Sequence, residues 1–188
     1  MKYHRRLIRL KGYDYSENGF YFVTICVQNK LKLFWKNDNK RADTSVRPYI
    51  KSDQIIPYNR IGLMIEYWLN EISNHFKNVF LDEHIIMPDH IHFILIINDY
   101  FGRTHRSARI LNQLNKIVGV DRCVDPLLGN IIQWFKTMTT NEYIKNVKTK
   151  NWPKFDKRLW QRNYYERIIR NEKEYFGYIQ YIKDNPKN

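Results

Sequence analysis

Cysteine is nearly absent from this 188-residue chain. Cys26 and Cys123 are the only two, and they form no Cys-x-x-Cys pair. That excludes a disulfide framework and a cysteine-rich zinc site, and it points to a reducing, cytoplasmic setting. Long apolar runs are missing too. The longest reach about eight residues, where a membrane-spanning helix needs roughly 20. The opening Met1-Lys2-Tyr3-His4-Arg5-Arg6 leads into no signal-peptide core, so no membrane partner is expected. Acidic residues are in deficit, 19 against 32 Lys and Arg, which leaves a net charge of +13. There is no internal repeat, no low-complexity tract, and no glycine-rich P-loop pattern that would bring in ATP.

The residues that are present suit a folded protein that meets a polyanion. Hydrophobic residues make up 43% and aromatics 15%, which excludes wholesale disorder. The length fits one domain, 1–188, with loop insertions near 36–58 and 99–128. The positive surplus concerns partners rather than fold: phosphates would release counterions on binding, without sequence preference. Aromatic rings beside cations, densest in Trp160-Gln161-Arg162-Asn163-Tyr164-Tyr165-Glu166-Arg167, suit stacking with single-stranded bases. Many of the rings must still serve the core.

Residues 1–17 read as a basic arm. The β-branched and aromatic stretch 19–28 reads as a central strand. Ile61, Met64, Ile65, Trp68, Leu69 and Ile72 keep helical spacing, with Asn59 placed to cap. Val79 to Met87 and His90 to Ile97 are strand-like, joined tightly through Pro88-Asp89. A short helix is expected near Ser107 to Val118, and a longer one from Gly129 to Val147. Trp160 to Ile169 reads as strand or turn, and Asn171 to Asp184 as a closing helix. Trp68 and Phe93 are expected in the core. The order β-α-β-β-α-β-α fits an α+β, ferredoxin-like (split βαβ) sandwich, with a central antiparallel sheet and helices on one face.

Two clusters carry chemistry. His90-Ile91-His92 opens a strand, so both imidazoles project to one face while Ile91 points to the other. Two neutral imidazoles on a stiff strand make a partial metal site. Ordinary partly buried histidines remain the plainer reading, and His84 in the preceding strand is a competing ligand. His4, His75 and His105 read as surface residues. In the closing helix Tyr181 and Asn185 are four apart and share a face. An amide oxygen can complete a coordination shell and an activated phenol can act as a nucleophile. The plainer reading is a helix that packs through its tyrosines.

Met87-Pro88-Asp89-His90-Ile91-His92-Phe93 resembles the His-hydrophobic-His signature of single-tyrosine HUH transposases, the IS200-like superfamily. Trp160 to Asn171, followed by Tyr181-Ile182-Lys183-Asp184-Asn185-Pro186, resembles its REP-associated tyrosine transposase branch, and Tyr21-Phe22-Val23-Thr24 fits that branch's first strand. The resemblance implies that His90 and His92 bind metal and that Tyr181 is the catalytic tyrosine. It implies that Asn185 stands where a third metal ligand can arise. Tyr178 is the near rival of Tyr181, and Tyr164 and Tyr165 are more distant ones. Insertions 36–58 and 99–128 depart from the minimal pattern. The chain also ends at Asn188, where many relatives continue with a tail.

By the same resemblance the activity is Mg2+- or Mn2+-dependent cleavage and rejoining of single-stranded DNA at a hairpin, through a 5′-phosphotyrosine. The protein would be a monomer, or a homodimer that shares active sites. Arg5, Arg6, Arg158, Arg162, Arg167 and Arg170 are the expected DNA contacts, positioning the strand through its phosphates. Two other readings compete. Asn18 to Ile25 half-resembles the aromatic strand of a non-catalytic RNA-binding module, with three defining positions unmatched. The His pair could also serve a hydrolase that needs no tyrosine intermediate.

Overall fold

The computed structural model describes residues 19–36, 49–51, 54–56, 58–98 and 128–185. The N-terminal arm, the expected short helix near Ser107 to Val118, most of both insertions and Pro186 lie outside the described residues. Within them the order is β1 (Gly19–Cys26), a 3-10 turn (Gln28–Lys30), β2 (Tyr49–Lys51), β3 (Gln54–Ile56), α1 (Arg60–His75), β4 (Val79–Ile86), β5 (His90–Ile97), α2 (Leu128–Lys150), β6 (Tyr165–Ile169) and α3 (Glu172–Asp184).

Four strands form one antiparallel sheet in the order β4-β5-β1-β6. With α1 after β1 and α2 after β5, this is the split βαβ arrangement of the ferredoxin-like α+β sandwich. β2 and β3 form a separate two-stranded hairpin, part of the insertion expected at 36–58, and its base is closed by a bridge between Trp35 and Tyr58.

Side-chain alternation assigns the faces. In the β1–β5 register Val23 faces Phe93 and Phe22 faces Ile94, so the two pairs lie on opposite sides. Tyr21, Val23, Ile25, Ile91, Phe93 and Leu95 join Ile65, Leu69 and Ile72 of α1 and Ile131 and Phe135 of α2 in one core, where the Phe93 and Phe135 rings sit 6.4 Å apart. Phe20 and Phe22 instead face α3: Phe22 stacks on Tyr178 and Phe20 meets Tyr175 edge-on. Helices on one face therefore describes α1 and α2 only, and α3 lies across the other face. The reason is that both faces of β1 are apolar, so the second one must also be covered.

Local chemistry fixes the ends of these elements. Asn59 Oδ1 accepts from the amides of Ile61 at 2.8 Å and Gly62 at 3.0 Å, a cap worth about 1 kcal/mol. Gly62 must be small because a Cβ there would lie 2.4 Å from the Phe34 carbonyl oxygen. Asn171 Oδ1 caps α3 by accepting from the Glu174 amide. Phe93 is fully buried as expected. Trp68 is only half-buried: it sits in the α1–α2 seam, edge-on to Trp134, and its Nε1 donates to Glu142.

Candidate active site

The sheet face under α3 gathers the two sequence clusters. Thr24 stands opposite His92 and Cys26 opposite His90 in the β1–β5 register. β5 begins at His90 because Pro88-Asp89 turns the chain, and the Met87 amide donates to the His90 carbonyl to close the turn. α3 crosses above, held by the Tyr178–Phe22 stack (4.4 Å between centroids, 17°) and by Tyr175, whose hydroxyl donates to Asp82 at 2.6 Å. Ile182 is buried beneath it.

This packing brings the Tyr181 hydroxyl to 3.5 Å from His92 Nε2, across 89 residues of sequence. The two histidines face each other, Nε2 to Nε2, at 3.0 Å. On the far side of each ring is a polar partner: Asp89 Oδ1 lies 2.5 Å from His90 Nδ1, and Thr24 Oγ1 lies 2.7 Å from His92 Nδ1. A carboxylate only accepts, so His90 Nδ1 carries the proton and its Nε2 presents a lone pair. His92 is 5% exposed and stacks against Phe22. Burial, aided by the neighbouring His90, pulls its pKa down to about 3, so it is neutral across the physiological range. Tyr181 is half exposed and forms part of the wall of an open cavity of about 580 Å³, lined also by Phe22, Thr24, His92, Tyr165 and Gly177.

The rival tyrosines are occupied otherwise. Tyr178 lies flat on Phe22, and burial raises its pKa. Tyr165 accepts a hydrogen bond from Arg167 Nε, and Tyr164 lies under the Lys136 ammonium. His84, the competing ligand, is on the opposite sheet face, buried and paired with Glu66 at 2.8 Å.

The donor set fits a divalent cation in part. Two imidazole nitrogens 3.0 Å apart match adjacent ligands at about 2.1 Å from one ion. Among the described residues no third His, Cys, Asp or Glu joins them. Asn185 is one turn beyond Tyr181, and its amide hydrogen-bonds neither histidine. Its backbone N–H donates to the Tyr181 carbonyl, while its side-chain Nδ2 is buried without a hydrogen-bond partner.

The expected DNA-contact arginines divide between two places. Arg158 and Arg162 are exposed and line a cavity of about 770 Å³ between α2 and the segment before β6. Arg167, opposite Phe22 in the register, lies on the α3 face beside Tyr165. Arg170 is exposed at the start of α3, and Arg5 and Arg6 lie outside the described residues. Thr24, Asp89 and Phe22 were not among the site residues expected from sequence. Adjacency to His90 could have marked Asp89, but Thr24 and Phe22 needed the strand register. The RNA-module reading loses its platform, since α3 covers Phe20 and Phe22. No helix among the described residues is long and apolar enough to cross a membrane.

No protein-family model matches the chain. It is 35% identical over 185 residues to a Haemophilus influenzae protein described only as an "Uncharacterized protein", covering 98% of this chain and 89% of that one. A second H. influenzae protein, described as a "Putative REP-associated tyrosine transposase", is 22% identical over 179 residues, covering 92% of this chain and 73% of that one. Similar solved structures include a REP-associated tyrosine transposase bound to a REP hairpin, at TM-score 0.47 and 15% identity over 99% of this chain and 73% of that one. They also include a "putative transposase" from Deinococcus radiodurans R1, at TM-score 0.37 and 13% identity over 94% of this chain and 95% of that one. The paired histidines and the tyrosine helix form one site on the ferredoxin-like α+β fold that the motifs imply, and the relative of 22% identity bears the name of the branch those motifs resemble.

Proposed function

We propose that this protein cleaves and rejoins single-stranded DNA beside a hairpin, with Tyr181 as the nucleophile. The observation that carries the reading is the 3.5 Å approach of the Tyr181 hydroxyl to His92 Nε2, itself 3.0 Å from His90 Nε2. In the reaction the Tyr181 oxygen forms a bond to the scissile phosphorus as the bond from phosphorus to the 3′ oxygen breaks. The phenol gives up one proton and the departing 3′ hydroxyl gains one. The product is a 5′-phosphotyrosine, which a second 3′ hydroxyl can reverse to join strands.

His90 and His92 would hold the metal, Mg2+ or Mn2+, with Asn185 through its amide oxygen as third protein ligand. When bound, such an ion supplies Lewis-acid polarisation of the phosphate. The protein does the rest. Phe22 packs edge-on against Tyr181 at 5.9 Å and limits its rotation, and positioning of this kind lowers the entropic part of the barrier. His92 stays neutral, so one of its two ring nitrogens always keeps a lone pair. Arg167 beside Tyr165, Arg170 at the α3 start and Arg158 and Arg162 in the α2 groove would hold phosphates, with Arg5 and Arg6 adding to them. The hairpin is what the resemblance to REP-associated tyrosine transposases implies, and the protein would work as a monomer or a homodimer in the cytoplasm.

The test is a denaturing gel of the protein incubated with labelled single-stranded hairpin DNA and Mn2+. A covalent adduct that disappears in Tyr181→Phe is the expected result. Cleavage with no adduct would replace this reading with a hydrolase, and binding with no cleavage would replace it with a non-catalytic nucleic-acid module.

A further inference from the structure

We infer that Thr24 and Asp89 are positioning residues that aim the two histidines at one point and so set the affinity for a divalent cation. This rests on the metal reading above. Six atoms carry it. Asp89 Oδ1, His90 Nδ1, His92 Nδ1 and Thr24 Oγ1 form the two outer ends of a chain of contacts at 2.5 and 2.7 Å, and the two Nε2 atoms meet in its middle at 3.0 Å. Asp89 can only accept, so it fixes the His90 proton on Nδ1 and turns the Nε2 lone pair toward His92.

Thr24 differs from Asp89 in kind, since a hydroxyl both donates and accepts. With no cation present, Thr24 can donate to His92 Nδ1 while His92 Nε2–H donates to His90 Nε2. When a cation takes the place between the rings, His92 must move its proton to Nδ1, and the same hydroxyl then accepts it. No heavy atom has to move and no hydrogen bond is lost at that end. Valine has the same shape but can do neither. The strand register makes Thr24 available, because it places this residue directly opposite His92. The ring itself is clamped, stacked on Phe22 at 5.4 Å, so the hydroxyl's contribution is proton placement as well as aim. Outer partners of this type change metal affinity by about 10- to 100-fold when removed.

The test is titration of the full chain, without DNA, with Mn2+ followed by electron paramagnetic resonance of the free ion. Thr24→Val and Asp89→Ala should each bind Mn2+ at least about 10-fold more weakly than wild type. Thr24→Ser keeps the hydroxyl and Asp89→Asn keeps an acceptor oxygen, so both should stay within about 3-fold of wild type, short of the loss expected on removing the partner. A merely structural role would not produce that split between conservative and non-conservative variants. If Thr24→Val and Asp89→Ala match wild type while His92→Ala loses binding, the positioning role is overturned and the metal site stands. If His92→Ala binds Mn2+ as wild type does, the metal reading fails and this inference falls with it. A Thr24→Val chain that melts early would be judged by Thr24→Ser alone, and a weakened Thr24→Ser would then overturn the role.

Discussion

The ring of Tyr178 lies flat on the ring of Phe22, 4.4 Å between centroids and 17° from parallel, and that stack sets how α3 rides on the sheet. Tyr181 is one turn further along the same helix, with its edge against the same phenylalanine. One aromatic ring of β1 therefore docks the helix and positions the candidate nucleophile.

The two tyrosines separate by substitution. Tyr178→Phe keeps the stack, and its DNA adduct should form at close to the wild-type rate. Tyr178→Ala removes the stack and should cost about 1–3 kcal/mol in urea unfolding. It should also slow adduct formation by about 100-fold, through misplacement of Tyr181. An adduct that vanished in Tyr178→Phe and survived in Tyr181→Phe would make Tyr178 the nucleophile.

His92→Ala should fold, since the sheet hydrogen bonds of β5 are made by its backbone. A drop in melting temperature of no more than several degrees is expected for this change of about 1–2 kcal/mol. Mn2+-dependent nicking should be lost. Nicking at wild-type speed by the folded variant would remove His92 from the ligand set.

Alkaline unfolding reports on Tyr143. Its hydroxyl donates to the Pro153 carbonyl at 2.9 Å, and burial pushes its pKa up from 10 to about 12. The sign follows from linkage. Below pH 10 the phenol is neutral in folded and unfolded chains alike and its contribution is intact. Between pH 10 and 12 the unfolded chain ionises first, so stability falls as pH rises, by on the order of 2–3 kcal/mol in total. Tyr175, also raised by burial and by its bond to Asp82, acts in the same direction. Urea midpoints measured from pH 8 to 11 should fall less steeply in Tyr143→Phe, although that variant starts about 1 kcal/mol lower for the lost hydrogen bond. Parallel slopes for the two proteins would contradict the assignment.

Much of the fold was legible because its signals are local. The apolar spacing of α1, its Asn59 cap, the paired strands around Pro88-Asp89 and the Asn171 cap of α3 each depend on a few neighbouring residues. The position of α3 was not legible in this way. Tyr175, Tyr178 and Ile182 mark an apolar stripe but not which sheet face it meets, and the expectation of helices on one face failed there. Trp68 also departed from expectation: helical spacing gave its side of α1, but its place in a seam between two helices depends on Trp134 and Glu142.

The amino-acid sequence by itself determined which groups can do chemistry here: two imidazoles on one side of a strand, a tyrosine near the end of a helix, and a cationic, aromatic chain suited to nucleic acid. These follow from residue type and from the periods of strand and helix, which are short-range properties. Only the tertiary structure decided that Thr24 is opposite His92, that Tyr181 rather than Tyr178 brings its hydroxyl to the histidines, and that the arginines divide between two surfaces. Those relations join residues up to 89 positions apart, and they are fixed by sheet register and by the packing of α3 on Phe22, which no local spacing encodes.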